Sequence, residues 1–256
     1  MILKTTAIPL YFTDVSNTSR IVTWLTADYG KLSTIIKGEQ RKNSLFRGQY
    51  DLFSSSELLF YDRSDRGTHI AKECSILHRR PVFRTDWRAC ASAGYISALF
   101  AKTTPRHGHE PERFELFEEM LSYAESHGRD PLFLVWFDLQ FADFMGHRLQ
   151  LDDSNRERAA YRFAADHGGL VEPGYASKHR IPATPIAPES VALIKQLQAA
   201  PMPPDSDTPP ANPAYLEQIE RVLIKFAEHH YDLPPHVRQT AAAMLHAEIL
   251  KGCIQP

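Results

Sequence analysis

The feature that most constrains the fold is a change of hydrophobic period near residue 80. Before this point, short stretches alternate polar and apolar side chains, as in IVTWLT at 21–26, and turn-forming segments separate them. From Arg84 onward, apolar residues recur at helical spacing. The change predicts an all-β module over residues 1–80 followed by an all-helical domain over residues 81–256.

The first 80 residues read as five short strands. We expect strands at 7–13, 21–26, 31–36, 50–61 and 68–77. Polar turns fall between them, and Gly30 supplies a position that can adopt positive φ where the central hairpin reverses. Five short strands in about 75 residues suit a small barrel better than a sandwich. The predicted fold class is therefore α+β, with an N-terminal five-stranded OB-fold barrel.

The remainder of the chain has helical signals with two interruptions. Predicted helices cover 85–102, 110–127, 132–149, 188–199, 214–231 and 234–250. Thr85 is the expected N-cap of the first, and Asp130-Pro131 is a strong start signal for the third. Residues 150–180 carry less pattern, and six prolines within 201–213 predict an extended linker.

Composition sets broad limits. The chain has 256 residues and no apolar run of membrane-spanning length, and its N-terminus lacks the features of a signal peptide. A cytoplasmic location is the expectation. The three cysteines (Cys74, Cys90 and Cys253) lack Cys-x2-Cys spacing, which indicates reduced thiols.

Charge is unevenly distributed along the chain. The net charge of −2 argues against a generic nucleic-acid binder. Residues 1–80, however, hold 12 Lys/Arg and 8 Asp/Glu, whereas the rest holds 17 and 23. A basic front and an acidic remainder fit a protein with one anion-binding module.

A basic loop follows the predicted hairpin. Its cations are interrupted by one acid, Glu39. Such a loop suits a phosphate backbone, although a solvated strand edge with gatekeeper charges would have the same composition. Tyr11 and Trp24 could also stack on bases if their strand faces are exposed. The predicted DNA-binding residues are Arg20, Lys31, Lys37, Arg41, Lys42 and Arg47, with Tyr29 and Phe46 as stacking aromatics.

The hairpin and loop resemble those of RecO, a bacterial family of recombination mediators. The family pattern has a Thr and Gly in the hairpin, then Lys-Gly with basic residues and a Ser. Tyr95 resembles a family tyrosine of the helical domain, and Gly168-Gly169 resembles a double glycine near the family's zinc region. The matching loop residues are Thr26, Gly30, Lys31, Lys37, Gly38, Arg41, Lys42 and Ser44.

The resemblance implies a fold and a function. RecO proteins have an OB barrel, a helical domain and often a small zinc-binding insertion. They bind single- and double-stranded DNA, anneal complementary strands and help to load RecA on DNA coated by single-strand binding protein. Expected partners are therefore DNA, RecR, the acidic C-terminal tail of that coating protein and, indirectly, RecA, in a nucleoid-associated location. The candidate cations for the tail are Arg106, Arg113, Arg129 and Arg148.

One departure concerns zinc. Many family members carry Cys-x2-Cys pairs before and after the double glycine, but here the corresponding positions are Asp153, Arg156, Glu172 and Tyr175. Structural zinc needs about four N or S ligands. We predict that neither zinc nor another cofactor is bound, so ordinary packing must hold this degenerate segment, or it is a loose loop.

Two other function classes stay open. The first is an OB-fold scaffold that binds only protein. The second is a metal-dependent hydrolase that uses His107, His109 and Glu110, which lie in a Pro/Gly interhelical loop. No nucleophile elbow, P-loop or H-E-x-x-H motif occurs, and the adjacent Asp152 and Asp153 would diverge on any regular element. A non-enzymatic role is the prediction.

Overall fold

The computed structural model describes residues 1–63, 67–106, 108–151, 161–205 and 211–247. Contacts between residues divide the chain into two compact units, 1–125 and 126–256. The first unit therefore contains helices as well as the predicted β module. An independent folding boundary at residue 80 stays a prediction.

Five strands form a closed barrel in the first unit, in the order β1-β2-β3-β5-β4. β3 and β5 pair in parallel, and the other neighbours are antiparallel. This arrangement confirms the predicted OB fold. The strands are β1 (Ile2–Ser16), β2 (Ser19–Thr26), β3 (Gly30–Ile36), β4 (Ser55–Tyr61) and β5 (His69–His78).

β1 is much longer than the seven residues predicted for it. Its first part pairs with β4, from Ile2 opposite Tyr61, and its later part pairs with β2. A strand shared by both neighbours closes the barrel and leaves no open edge there. Trp24 is fully buried in the barrel core, where its Nε1 donates to Thr34 Oγ1 at 2.9 Å.

Three helices follow the barrel: α1 (Val82–Thr85), α2 (Trp87–Thr103) and α3 (Pro111–His127). The prediction that Thr85 caps the first long helix is wrong. Asp86 is the N-cap, and its carboxylate accepts from the backbone N–H groups of Arg88 and Ala89. The ionised carboxylate accepts both bonds and also suits the positive end of the helix dipole.

The second unit is mainly helical. α4 (Pro131–Phe144) is buried on nearly all sides, as its sequence predicts, and Asp130 caps it. It ends five residues earlier than expected, just before Gly146, which adopts φ +75°. The other helices are α5 (Pro173–His179), α6 (Pro188–Ala199), α7 (Pro213–Tyr231) and α8 (Pro235–His246).

A three-stranded sheet lies within residues 161–186, where the sequence carries little pattern. Its strands are β6 (Tyr161–Ala164), β7 (Gly169–Val171) and β8 (Thr184–Ile186), in the order β7-β6-β8. A small apolar cluster centred on Ala164, Val171 and Ala176 packs there. A Cβ on Gly169 would lie 2.2 Å from the Gln150 carbonyl oxygen, so the backbones meet too closely for any other residue. Positions 153 and 156 lie outside the described residues.

Among the described residues, no three His, Cys, Asp or Glu side chains come together as a potential metal site. Within the same part of the chain, no helix has the length and apolar character that a membrane crossing requires.

Candidate nucleic-acid interface

The basic loop, residues 37–48, is a series of hydrogen-bonded turns. Backbone N–H groups of Arg41, Ser44 and Arg47 donate to carbonyls three residues earlier, at 3.1, 3.0 and 3.3 Å. Gly38 begins the series at φ +69°, and the aliphatic part of the Arg41 side chain lies over it. These bonds hold the backbone of the loop in shape.

Lys37, Arg41, Lys42 and Arg47 are all exposed. Among the described residues, none of these four side chains forms an ion pair. The acid of the loop, Glu39, is half-buried and lies 3.9 Å from Arg20 Nη1. The result is an exposed, uncompensated cluster of four positive charges, which is the electrostatic requirement for attracting phosphates.

The tip of the β1–β2 hairpin supports the loop from one side. The Gln40 N–H donates to the Thr18 carbonyl at 3.4 Å, and the Gly38 N–H donates to Ser19 Oγ at 3.5 Å. Arg20 belongs to this support. Its Nε donates to Asp14 Oδ1 at 2.8 Å, and its guanidinium lies 5.1 Å from the Phe12 ring centroid.

The environment of Arg20 suits a structural role. The hydrogen bond to Asp14 raises the pKa of Arg20, partly opposed by burial. Because Asp14 already neutralises its charge, Arg20 contributes less to an anion surface than the four loop cations do.

The predicted stacking aromatics are less available than the cations. Phe46 and Tyr29 are both half-buried and pack against the barrel core, and Tyr29 makes an edge contact with Phe60 at 5.6 Å between centroids. The loop instead exposes Leu45, whose surface is 87% accessible. Sequence alone could not separate these cases, because a barrel loop can turn an aromatic inward or outward.

Lys31 lies away from the loop, at the opposite end of β3. Its Nζ donates to the Ala101 carbonyl near the end of α2 at 2.6 Å. Burial lowers the pKa of Lys31, and the nearby charges of Arg106 and Arg113 lower it further. Its proximity in sequence to the loop cations therefore does not place it on the same surface.

Arg79 is a cation that the sequence reading missed. It is exposed, and its Nη2 donates to the Gly48 carbonyl at the end of the basic loop, at 3.1 Å. Its neighbour Arg80 is buried and donates to the Phe53 carbonyl and Ser55 Oγ. The pattern Arg-Arg after a strand contains no signal that tells which side chain turns outward.

The four arginines predicted to bind the acidic tail of the coating protein lie in both units of the chain. Arg113 is buried and bonded to Glu110 in the first unit, and Arg148 pairs with Asp143 at 2.6 Å in the second. Arg106 and Arg129 are exposed. Arg113 and Arg148 are thus already engaged by carboxylates.

The geometry gives little support to the alternative metal site of the hydrolase hypothesis. His107 lies outside the described residues, His109 is exposed, and Glu110 is bonded to Arg113. That pairing already uses the carboxylate that the hydrolase hypothesis requires.

The barrel and its loop show that the chain is an OB-fold protein with a cationic loop built of turns. Comparison with known protein families identifies which OB-fold family it belongs to. A family described as recombination protein O N terminal matches residues 1–80, and one described as recombination protein O C terminal matches residues 84–239. The chain therefore belongs to the recombination protein O family.

Sequence similarity to individual relatives extends over most of the chain. A DNA repair protein RecO of Anaeromyxobacter sp. (strain K) is 29% identical over 234 residues, which cover 89% of this chain and 91% of the relative. The protein of the same name from Bacillus pumilus is 23% identical over 237 residues, covering 91% and 89%. That of Chlorobium limicola is 23% identical over 254 residues, covering 94% and 97%. Family membership supports a role in DNA repair and recombination.

Proposed function

We propose that the protein is a non-enzymatic recombination mediator. It binds single- and double-stranded DNA through the basic loop, anneals complementary strands and assists RecA loading on DNA coated by single-strand binding protein. The observation that carries this proposal is the set of four exposed loop cations, among them Arg41 and Lys42, that have no acidic partner among the described residues.

The mechanism is electrostatic. Each phosphate that a loop cation neutralises releases condensed counterions, and this release favours binding. Two DNA strands repel one another through their backbones, so a cationic surface that contacts both lowers the free-energy cost of bringing them together. Because hydrogen bonds already hold the loop backbone, less conformational entropy is lost on binding.

Partner binding is the second part of the proposal, with RecR and the acidic tail as partners. In the second unit, a cavity of about 450 Å³ lies between the small sheet and α7. Phe163, Pro182 and Val222 line it, and its charged or titratable lining residues are Lys225, His229, Asp166 and Glu228. Lys225 supplies the cation that an acidic, hydrophobic peptide needs beside an apolar groove. Lys225→Glu is expected to abolish binding of a labelled peptide of that kind.

The decisive experiment is a salt titration of binding to a fluorescent single-stranded oligonucleotide. It compares the wild type with Lys37→Glu/Arg41→Glu/Lys42→Glu. Because each lost phosphate contact changes the log–log slope by about 0.7 on single strands, the triple variant should lose about two units of slope.

The matched control is Lys72→Glu/Lys178→Glu/Arg221→Glu, which changes the net charge equally at positions outside the loop. It should keep the slope of the wild type. If the loop variant binds DNA as the wild type does, the protein-only scaffold is favoured. Stoichiometric metal in the purified protein, lost together with a hydrolytic activity, would favour the hydrolase.

A further inference from the structure

Leu45 is a feature of the basic loop that an electrostatic mechanism does not use. It is 87% exposed, and the cations Lys42 and Arg47, which precede and follow it in the loop, are exposed as well. A single exposed leucine is common on protein surfaces and by itself indicates nothing. What distinguishes Leu45 is the backbone that holds it and the charge that surrounds it.

The backbone around Leu45 is a closed turn. The Arg47 N–H donates to the Ser44 carbonyl at 3.3 Å, so Leu45 and Phe46 are the two central residues of this turn. The Phe46 N–H also donates to Ser44 Oγ at 3.3 Å, and the Phe46 ring packs against the barrel core. Because one central residue is anchored in the core while the other is exposed, the turn holds Leu45 at a defined position on the surface.

The charge around this apolar side chain is positive. The four exposed loop cations form no ion pair among the described residues, and the acid of the loop, Glu39, lies 3.9 Å from Arg20 Nη1. A ligand that suits both Leu45 and these cations combines negative charge with an apolar surface beside it. DNA has this combination, since its stacked bases lie between phosphate backbones.

A bilayer of anionic lipids has the same combination of charge and apolar surface. Binding of a protein to the surface of such a bilayer strengthens with the apolar area that the protein buries in it. One leucine on a turn offers little area of this kind, whereas one apolar side chain is sufficient to enter a single base step. The geometry therefore favours DNA over a membrane.

We propose that Leu45 is a wedge that inserts between adjacent base pairs of duplex DNA held by the loop cations and partly unstacks them. Leucine is among the apolar side chains that proteins insert into base steps in this way. Unstacking costs least at flexible pyrimidine–purine steps such as TA, so duplexes with such steps are the expected substrate. The inference rests on the proposed DNA binding by the loop and adds to it a contact that cations cannot supply.

The test is the fluorescence of 2-aminopurine, an adenine analogue whose emission is quenched by stacking, placed at a TA step of a duplex oligonucleotide. Saturating wild-type protein should raise the emission. Leu45→Ala should lose most of this rise at saturation, because the shorter side chain does not reach between the bases. Leu45→Met keeps a long apolar side chain and should retain the rise. In a stiff A-tract, the analogue should respond less to the wild type.

Two controls separate the wedge from general effects. Leu77→Ala is the matched variant, because Leu77 is 58% exposed on β5, outside the loop, and the rise should be that of the wild type. Leu45→Ala removes no charge, so its log–log salt slope for duplex DNA should also be that of the wild type. Lys42→Gln, in contrast, should lower that slope by about 0.9.

The outcomes distinguish this inference from the proposed function. If the loop triple variant loses binding while Leu45→Ala raises the emission as the wild type does, Leu45 is not a wedge and the loop proposal stands. If Leu45→Ala leaves the emission unchanged but abolishes binding to phosphatidylglycerol vesicles, the leucine contacts lipid and the inference is wrong. Failure of the wild type to bind DNA would overturn both proposals.

Discussion

Cations in the basic loop and cations in the two units' interiors have opposite surroundings. Lys37, Arg41 and Lys42 are exposed and have no carboxylate partner among the described residues. Arg80 and Arg238 are 4% and 1% exposed and face carboxylates. The positive charge of the loop is therefore available to an external anion, whereas carboxylates of the same protein neutralise the buried arginines. Composition alone counts both kinds equally.

The interior cations stabilise particular segments. Arg80 bonds to the carbonyl of Phe53, which adopts φ +65°, and its Nε lies 3.4 Å from Glu125. Arg238 Nε donates to Asp138 at 2.8 Å, and its Nη1 lies 3.7 Å from Glu220. Removing Arg238 leaves the buried carboxylates of Asp138 and Glu220 without this cation, whereas removing a loop cation leaves the fold intact.

The largest expected effect comes from Arg238→Ala. It should lower the free energy of unfolding by about 3–5 kcal/mol, because Asp138 and Glu220 lose their buried cation. Urea denaturation would measure the change. Arg221→Ala is the control, since its exposed pair with Glu217 is worth about 0–1 kcal/mol. Equal losses in the two variants would remove the distinction between buried and exposed arginines.

A glycine pair tests the backbone of the hairpin that precedes the loop. Gly30 adopts φ +62°, and a Cβ there would lie 1.7 Å from the Gly108 carbonyl oxygen. Gly30→Ala should therefore cost about 1–3 kcal/mol of unfolding free energy. Gly94→Ala, in the middle of α2 with open space around it, should stabilise by about 0.5–1 kcal/mol. Thermal unfolding of both variants would show opposite shifts, and shifts of the same sign would contradict the geometry.

Single loop substitutions should change binding and leave stability alone. Arg41→Gln removes one exposed charge, so the log–log salt slope for a single-stranded oligonucleotide should fall by about 0.7. Its urea midpoint should match that of the wild type. Arg148→Gln provides the comparison, because Asp143 already pairs with that arginine. If Arg148→Gln lowers the slope as much as Arg41→Gln does, then the overall charge of the protein, and not the loop, governs binding.

The smallest effect concerns pH and His230. Burial lowers the pKa of His230, the nearby His147 and His229 lower it further, and a hydrogen bond with the Ala165 carbonyl partly opposes the shift. The unfolded chain therefore binds this proton more readily, so its contribution to stability is present above about pH 6.5 and is lost as pH falls below that value.

Unfolding in urea at about pH 7.5 and about pH 5.5 would measure this contribution. His230→Gln should show a smaller difference between the two pH values than the wild type does. The exposed His236 gives the matched variant, His236→Gln, which should keep the larger difference. If His230→Gln loses as much stability on acidification as the wild type, another group is responsible.

Local patterns predicted the elements that the fold depends on. Alternation and turn chemistry placed both ends of β2, β3 and β5 within about two residues, whereas β4 starts at Ser55 and not at the expected residue 50. Gly30 adopts the positive φ expected of it. Helical spacing with Asp130-Pro131 predicted the start of the buried α4. These signals lie within a few neighbouring residues, so the sequence expresses them directly.

Features that depend on distant residues were not predictable. The small sheet pairs Tyr161–Ala164 with Gly169–Val171 and Thr184–Ile186, and each of these strands is too short to show a period. In the candidate interface, sequence could not tell that Lys31 turns toward α2 or that Arg79 turns outward. The orientation of each of these side chains depends on packing partners many positions away in the chain.

The long first strand has a consequence for biosynthesis. Residues 2–7 pair with residues 56–61, so the barrel seam cannot close until both segments have been translated. At about 5–20 residues per second, Ile2 precedes Tyr61 by roughly 3–12 s during synthesis. For that interval the backbone groups of residues 2–7 that pair with β4 lack their partners.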